Sequence, residues 1–525
     1  MSVFGDPPRA LGSPTGEPRR PAARTAAAGG SPGPSASGGQ SGSPERPFPR
    51  SLIVLDFIDD RYGLSRRSFL RVGSLALGGL GLPQVLAAKG PAAADAKVLR
   101  DKAVVFLFMH GGPSQIETFD PKMSAPVEIR SVTGEVKTKL PGVTFGGTFP
   151  KLADRADRLA VVRSFSFENI GNHDIRPLVG PESLDANLGS VYARVAGANR
   201  PVTGMPTNVV LFPRSVDPTA GPNQNGPPWG RFDRTGPFGN ATAPLVPGSA
   251  GGGGSLHEDM RLTVPHDRLE DRKRLLARFD DVKRQSDFEG FDDHRRQAFE
   301  MILGGVEKAF DLSKEDARTI ERYDTGRLCN PESVRLGRDG KQNGFYPRYV
   351  DHGKTLGKEL LLARRLVEAG CGFVTVTTNF AWDMHADGNN PGVKEGMNFS
   401  GAVFDHAVSV FLDDLRDRGL EDKVLLVATG EMGRTPKLDN NGGRNHWHRS
   451  APLLLAGGGL PMGQVIGQST SDGGRPATEP MTVERLIATI MHVLFDVGQL
   501  RISHNHLRDV INVVTAADPI PGLTL

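Results

Sequence analysis

Beyond residue 97 the chain alternates short apolar runs with longer segments whose apolar residues recur every three or four positions. The runs are AVVFLFM (103–109), LAVVR (159–163), TNVVLFP (207–213), CGFVTVT (371–377), KVLLVAT (423–429) and PLLLAG (452–457). Nearly unbroken Val, Leu and Phe suits strands buried on both faces, as in parallel sheets. KTLGKELLLARRLVEAG (354–370) and FDHAVSVFLDDLRDRG (404–419) carry the helical period, and each ends in Gly, a usual helix stop. EPMTVERLIATIMHVLF (479–495) is a third amphipathic helix, with Thr482 placed as its N-cap. Strand, helix and strand in series predict the α/β class: an α/β/α sandwich around a mostly parallel, doubly wound sheet. Two stretches break the rhythm. Residues 214–255 are rich in Pro, Gly and Asn, end in GSAGGGGS, and read as an irregular loop or flexible insertion. Residues 256–322 are highly charged and helical in pattern, which suits a cap or an inserted subdomain.

The first hundred residues follow other rules. Residues 1–48 are Pro, Gly, Ser, Ala and Arg with almost no large apolar side chain, a composition that cannot bury a core. They read as a disordered leader, or as an artefact of a start site that truly lies near Val54 or Leu55. Within 49–96, LSRRSFLRV at 64–72 runs directly into the apolar VGSLALGGLGLPQVLAA. Ser65, Arg66, Arg67, Phe69 and Leu70 fit a twin-arginine export signal, with Arg71 keeping the charge of the usual lysine. That pathway carries folded proteins, so the expected partner is the twin-arginine translocase, and the expected location is the periplasm, cell envelope or exterior. The apolar run is shorter than the roughly 20 residues of a membrane span. Cleavage near Ala88 or Ala96 is expected, with retention as an uncleaved anchor the alternative. The remaining domain then covers 97–515, with a tail at 516–525.

Net charge is +3, part of the arginine excess sits in the leader and signal, and no nucleic-acid partner is indicated. Cys329 and Cys371 are the two cysteines, too few for a disulfide framework. Cys371 opens an apolar run and reads as buried; Cys329 lies in a polar stretch, and nothing in the sequence requires the two to pair.

In a doubly wound sheet, functional side chains sit just past the carboxyl ends of strands. The first run leads into His110, Gly111, Gly112, Ser114, Glu117 and Asp120; the second into Ser164, Ser166, Glu168, Asn172 and His173. The fourth leads into Asp383 and His385, and the fifth into Glu431 and Arg434, followed by Arg444, His446 and His448. Imidazole and carboxylate together are what a hydrolytic divalent-metal site needs: zinc or manganese, with calcium the oxygen-rich alternative. The candidate ligands are Asp383, His385, Glu431 and His446, with His110 or His173 close by. Each also has a structural reading. HWH at 446–448 could be a surface loop around Trp447, and GEMGRTPK could be a tight turn rather than an anion clamp built on Arg434. The glycines of HGGPS either let the backbone approach an anion or merely turn the chain.

HGGPSQIETFDPK (110–122), AFDLSKEDARTIERY (309–323), LLLARRLVEAG (360–370), WDMH (382–385), GEMGRTPK (430–437) and GRNHW (443–447) resemble, in order and spacing, the exported bacterial "domain of unknown function 1501" family. That family is grouped with the alkaline-phosphatase and sulfatase superfamily. The resemblance implies an alkaline-phosphatase-like core and a sulfatase-like hydrolase. Sulfatases commonly carry Thr-Ser-Asp-His-Gly after a strand; the similar stretch here is Thr429 to Gly433, where Glu431 replaces the aspartate and Met432 the histidine. Ser164 and Ser166 lie where the superfamily carries its nucleophile, and neither cysteine has a formylglycine setting. The expected activity is metal-dependent hydrolysis of a sulfate or phosphate ester, including a sulfated polysaccharide. The alternative is a non-catalytic envelope protein of the same fold that binds anionic polysaccharide.

Overall fold

The computed structural model describes residues 98–525, apart from 168–172, 202, 249–305, 330–343 and 504–506. The leader at 1–48, the signal region at 49–96, Glu168, Asn172 and most of the charged segment 256–322 therefore lie outside the described residues.

All six apolar runs are strands of one sheet: β1 (Ala103–Phe108), β2 (Ala160–Val162), β3 (Asn208–Leu211), β4 (Phe373–Thr377), β5 (Val424–Thr429) and β6 (Leu453–Gly457). A seventh, β7 (Gln464–Ile466), completes it in the order β7-β2-β6-β5-β1-β4-β3. β3, β4, β1 and β5 are mutually parallel, β6 runs against them, and β2 and β7 resume the common direction. Every residue of β1, β4 and β5 is buried, which explains their unbroken hydrophobicity.

Alternate side chains of each strand serve two separate cores. Val105 and Leu107 pack with α2 (Tyr346–Glu368) and α3 (Ala402–Asp417). Val104, Phe106 and Phe108 pack with α1 (Leu188–Ala196), α4 (Val483–Leu494) and α5 (Arg508–Val514). Helices on both faces make the α/β/α sandwich. Thr482 does occupy the N-cap of α4 in extended conformation, but its side chain makes no capping hydrogen bond. Among the described residues no helix is long and apolar enough to cross a membrane.

The described part of the insertion, 214–248, is irregular, with only short 3-10 turns at Pro213–Ser215, Gly236–Phe238 and Asn240–Thr242. It is nonetheless packed: Phe232 is fully buried against Phe108, Phe212 and His110. Cys329 departs from the expectation of a polar loop. It is buried against Gly353 and beside Tyr349, and both cysteines are free thiols. Burial pushes the Cys371 thiol up to about 12.

Three adjacent parallel strands end level with one another. Phe108 pairs with Thr377 on one side and Thr429 on the other. The segments that follow, 109–117, 378–387 and 430–434, therefore leave the sheet side by side, which is the placement that strand-end chemistry requires.

Candidate metal centre

Close approach of these three segments depends on glycine. Gly111 has φ +114, and a Cβ there would lie 2.6 Å from the Asp383 nitrogen. Gly112, at φ +83, faces the Met432 side chain. The HGG turn thus lets one loop press against its two neighbours, with Trp382 N–H donating to the His110 carbonyl (3.1 Å).

Asp383, His385 and His446 converge. Asp383 Oδ1 is 2.7 Å from His385 Nε2 and 3.4 Å from His446 Nε2, and the two Nε2 atoms stand 2.8 Å apart. His173 joins from the loop after β2: one donor atom each from His173, Asp383 and His446 lies within 4.8 Å of the others. His446 sits on a two-residue ribbon, His446–Trp447 antiparallel to Gly433–Arg434. Asp383 and His173 form the buried floor, whereas His446 and His385 are partly exposed and open the cluster on one side.

Glu431 is fully buried. It accepts from the Gly111 N–H at 2.9 Å and contacts His173 Nδ1 at 2.9 Å. Burial alone would raise its carboxyl, but His173 and His110 outweigh that and hold it below the ordinary range. An ionised Glu431 only accepts, so His173 Nδ1 carries the hydrogen of this contact and Nε2 is the ring atom left for a ligand role. His110 is enclosed by Phe108, Phe232 and Phe380, neither ring nitrogen has a hydrogen-bond partner, and burial lowers it to about 4.

Asp383 is held from behind. Burial would raise its carboxyl, yet Arg434 and hydrogen bonds from His385 and His446 hold it well below the carboxylate range. Arg434 Nη2 donates to Asp383 Oδ1 (2.5 Å) and to the Gly111 carbonyl; Nε donates to Gly112 O (2.7 Å) and Nη1 to Arg444 O (3.1 Å). Gln115 grips the Arg434 backbone through both amide atoms, at 2.9 and 3.0 Å. Arg444 pairs with Glu117 at 2.9 Å, and both side chains are inaccessible to solvent. Against the anion-clamp expectation for Arg434 stands the fact that its fork is occupied by Asp383 and backbone carbonyls.

The serines do not join the cluster. Ser164 is fully buried, its hydroxyl against Gly467 and near Thr478, without a hydrogen-bond partner. Ser166 is half-buried, and neither serine is hydrogen-bonded to a cluster residue. A buried hydroxyl with no base beside it is not an activated nucleophile, so the structure gives Ser164 no support in that role. Asp120 is tied to Lys122, Arg163 and Ser469 instead. His448 stacks on Trp447 and stays outside the cluster.

Phe380 and Trp229 carry no sequence signal as site residues. Phe380 (φ +74), Asn379 (φ +48) and His173 (φ +55) adopt left-handed backbone that is costly for such residues and concentrates at functional sites. Trp229, from the irregular insertion, packs on Phe380 (4.2 Å between centroids) and near His173 (6.2 Å).

The donors suit a divalent cation. Ligands about 2.1 Å from an ion at tetrahedral angles stand roughly 3.4 Å apart, the separation of Asp383 Oδ1 and His446 Nε2. The unpartnered Glu431 Oε2 and His110 nitrogens are buried polar atoms that a cation or its bound water would satisfy.

A family model described as "Protein of unknown function (DUF1501)" matches residues 101–514. No curated protein matches the chain. Among solved structures, the PsFucS1 sulfatase from Pseudoalteromonas sp. aligns at 12% identity over 82% of this chain and 72% of that chain, with a TM-score of 0.31. The phosphonate monoester hydrolase SpPMH from Silicibacter pomeroyi aligns at 11% identity over 75% and 73%, with a TM-score of 0.29.

Proposed function

The chain belongs to the DUF1501 family, and from that premise we propose that it is an exported, metal-dependent hydrolase of a sulfate or phosphate ester. The observation that carries the proposal is the convergence of Asp383, His385, His446 and His173 beside the ends of three parallel strands. Asp383, His446 and His173 would hold the ion, zinc or manganese, with His385 at the open edge. A divalent ion in such a set polarises an ester oxygen and acidifies a bound water.

The chain's own residues divide the remaining work. Arg434 fixes Asp383 in its ionised form, and Glu431 fixes the tautomer of His173. His385, partly exposed and next to Asp383, is positioned to move a proton at the open side. With Ser164 buried, an activated water is better supported as nucleophile than Ser164.

Export rests on the SRRSFLR motif and its apolar run; Arg66→Lys with Arg67→Lys should retain the protein in the cytoplasm on cell fractionation.

Metal analysis of purified protein tests the core of the reading. Wild type should carry close to a full equivalent of transition metal, and Asp383→Ala and His446→Ala should lose it. A panel of sulfate and phosphate esters, run with and without chelator, then tests turnover. Metal-free wild-type protein with no ester turnover, but with tight sulfated-glycan binding that survives Asp383→Ala, would favour the envelope binding-protein reading.

A further inference from the structure

Beside the metal cluster stands a cation with no anionic partner among the described residues. Arg348 lies in the first turn of α2, half-buried, at the foot of three aromatic rings. Its guanidinium carbon is 4.0 Å from the Phe345 centroid, 4.7 Å from Trp229 and 5.3 Å from Phe380. The rings come from three separate segments: the irregular insertion, the lead into α2 and the loop after β4. Arg434 and Arg444, two arginines that follow β5, each face a buried carboxylate. Arg348 faces none: its Nη1 is sealed from solvent with no hydrogen-bond partner. Stacking on aromatic faces stabilises the charge, but a ring face does not take the in-plane N–H bonds of the fork. An unpaired buried N–H leaves its desolvation uncompensated.

The cage adjoins the donor cluster. Phe380 packs edge-on to His173, 4.6 Å between centroids, and Trp229 lies 6.2 Å from the same imidazole. The Arg348 charge is close enough to interact with Asp383 and His110. Three aromatic faces surround the guanidinium, and its planar fork matches a tetrahedral oxyanion.

We propose that Arg348, held by Trp229, Phe345 and Phe380, is the oxyanion-recognition residue of this site and binds the sulfate or phosphate oxygens of the ligand. The proposal rests on the ester-hydrolase reading and assigns its anion contact to Arg348 rather than Arg434.

The test uses inorganic sulfate and inorganic phosphate as probes, titrated calorimetrically into purified protein whose metal content is measured on the same sample. Wild type should bind at least one of the two. Arg348→Gln should weaken that binding at least tenfold with metal content unchanged, and Arg348→Lys should fall between. In wild type itself, the bound anion should slow phenylglyoxal modification of Arg348, mapped by mass spectrometry; this arm needs no variant to fold. No binding by wild type, equal binding by Arg348→Gln, or modification at a rate the anion does not change would each overturn the proposal. Absence of metal with anion binding still dependent on Arg348 would instead sink the metal reading and leave this one standing. Parallel titrations with a sulfate ester and a phosphate ester distinguish a free anion from an ester as the preferred ligand.

Discussion

Replacing Arg434 with lysine separates a scaffold from a substrate clamp. In the structure every N–H direction of this guanidinium is used: Nε on Gly112 O, Nη1 on Arg444 O and toward His385, Nη2 on Gly111 O and Asp383. The side chain is inaccessible to solvent, and Asp383 is nearly so. An ammonium reaching the same space keeps the charge but loses the fork, so at least two of these bonds go. A hydrogen bond to a charged group is worth about 1.5–3 kcal/mol, and breaking a buried pair costs about 3–5 kcal/mol. Arg434→Lys should therefore lower the unfolding free energy by about 3 kcal/mol, and Arg434→Met by about 5 kcal/mol. Asp383 would lose its support, and metal affinity should fall by about 10–100-fold, as for other groups that orient a ligand. Urea denaturation at fixed metal concentration reads the first effect, and competition with a chromogenic chelator reads the second. The reasoning fails if Arg434→Lys is as stable as wild type and keeps its metal while anion affinity drops tenfold to hundredfold. That pattern would return Arg434 to the role of clamp.

Three further outcomes follow from the same geometry. Glu431→Gln removes an acceptor-only partner and frees the His173 tautomer, so metal affinity should drop by about 10–100-fold with little loss of fold, read by chelator competition and circular dichroism. Gly111→Ala places a Cβ 2.6 Å from the Asp383 nitrogen at φ +114; soluble protein with native metal content would contradict the close packing inferred for that turn. Glu359, fully buried on α2, is raised from 4.5 to about 8 because burial penalises its charged form. Folding then favours the protonated carboxyl, so its contribution is present below the ordinary value and is lost as pH rises from about 4.5 through 8. At about 1.4 kcal/mol per unit the loss is at most on the order of 5 kcal/mol. Denaturation at several pH values should show this decline in wild type and a flatter profile in Glu359→Gln.

What was legible in the sequence is what short-range pattern dictates. The runs that became β1 to β6 were visible because strands covered on both faces admit only apolar side chains. Strand ends then selected His110, His173, Asp383, His385, Glu431 and His446 without contacts, because parallel strands release their loops at one edge. The partners of those residues were not legible. Arg434 looks like an anion clamp in a motif, and only its burial against Gly111, Gly112 and Asp383 shows its hydrogens to be occupied. Ser164 has the spacing of a nucleophile, yet lies against Gly467, with which it shares no local pattern. Trp229 and Arg348 stand more than a hundred residues apart, one in a stretch that reads as an irregular loop and the other ahead of the helix predicted at 354–370. Local periodicity reports which faces are covered; which side chains meet beyond the strand ends depends on loop paths, and these are decided by packing in three dimensions.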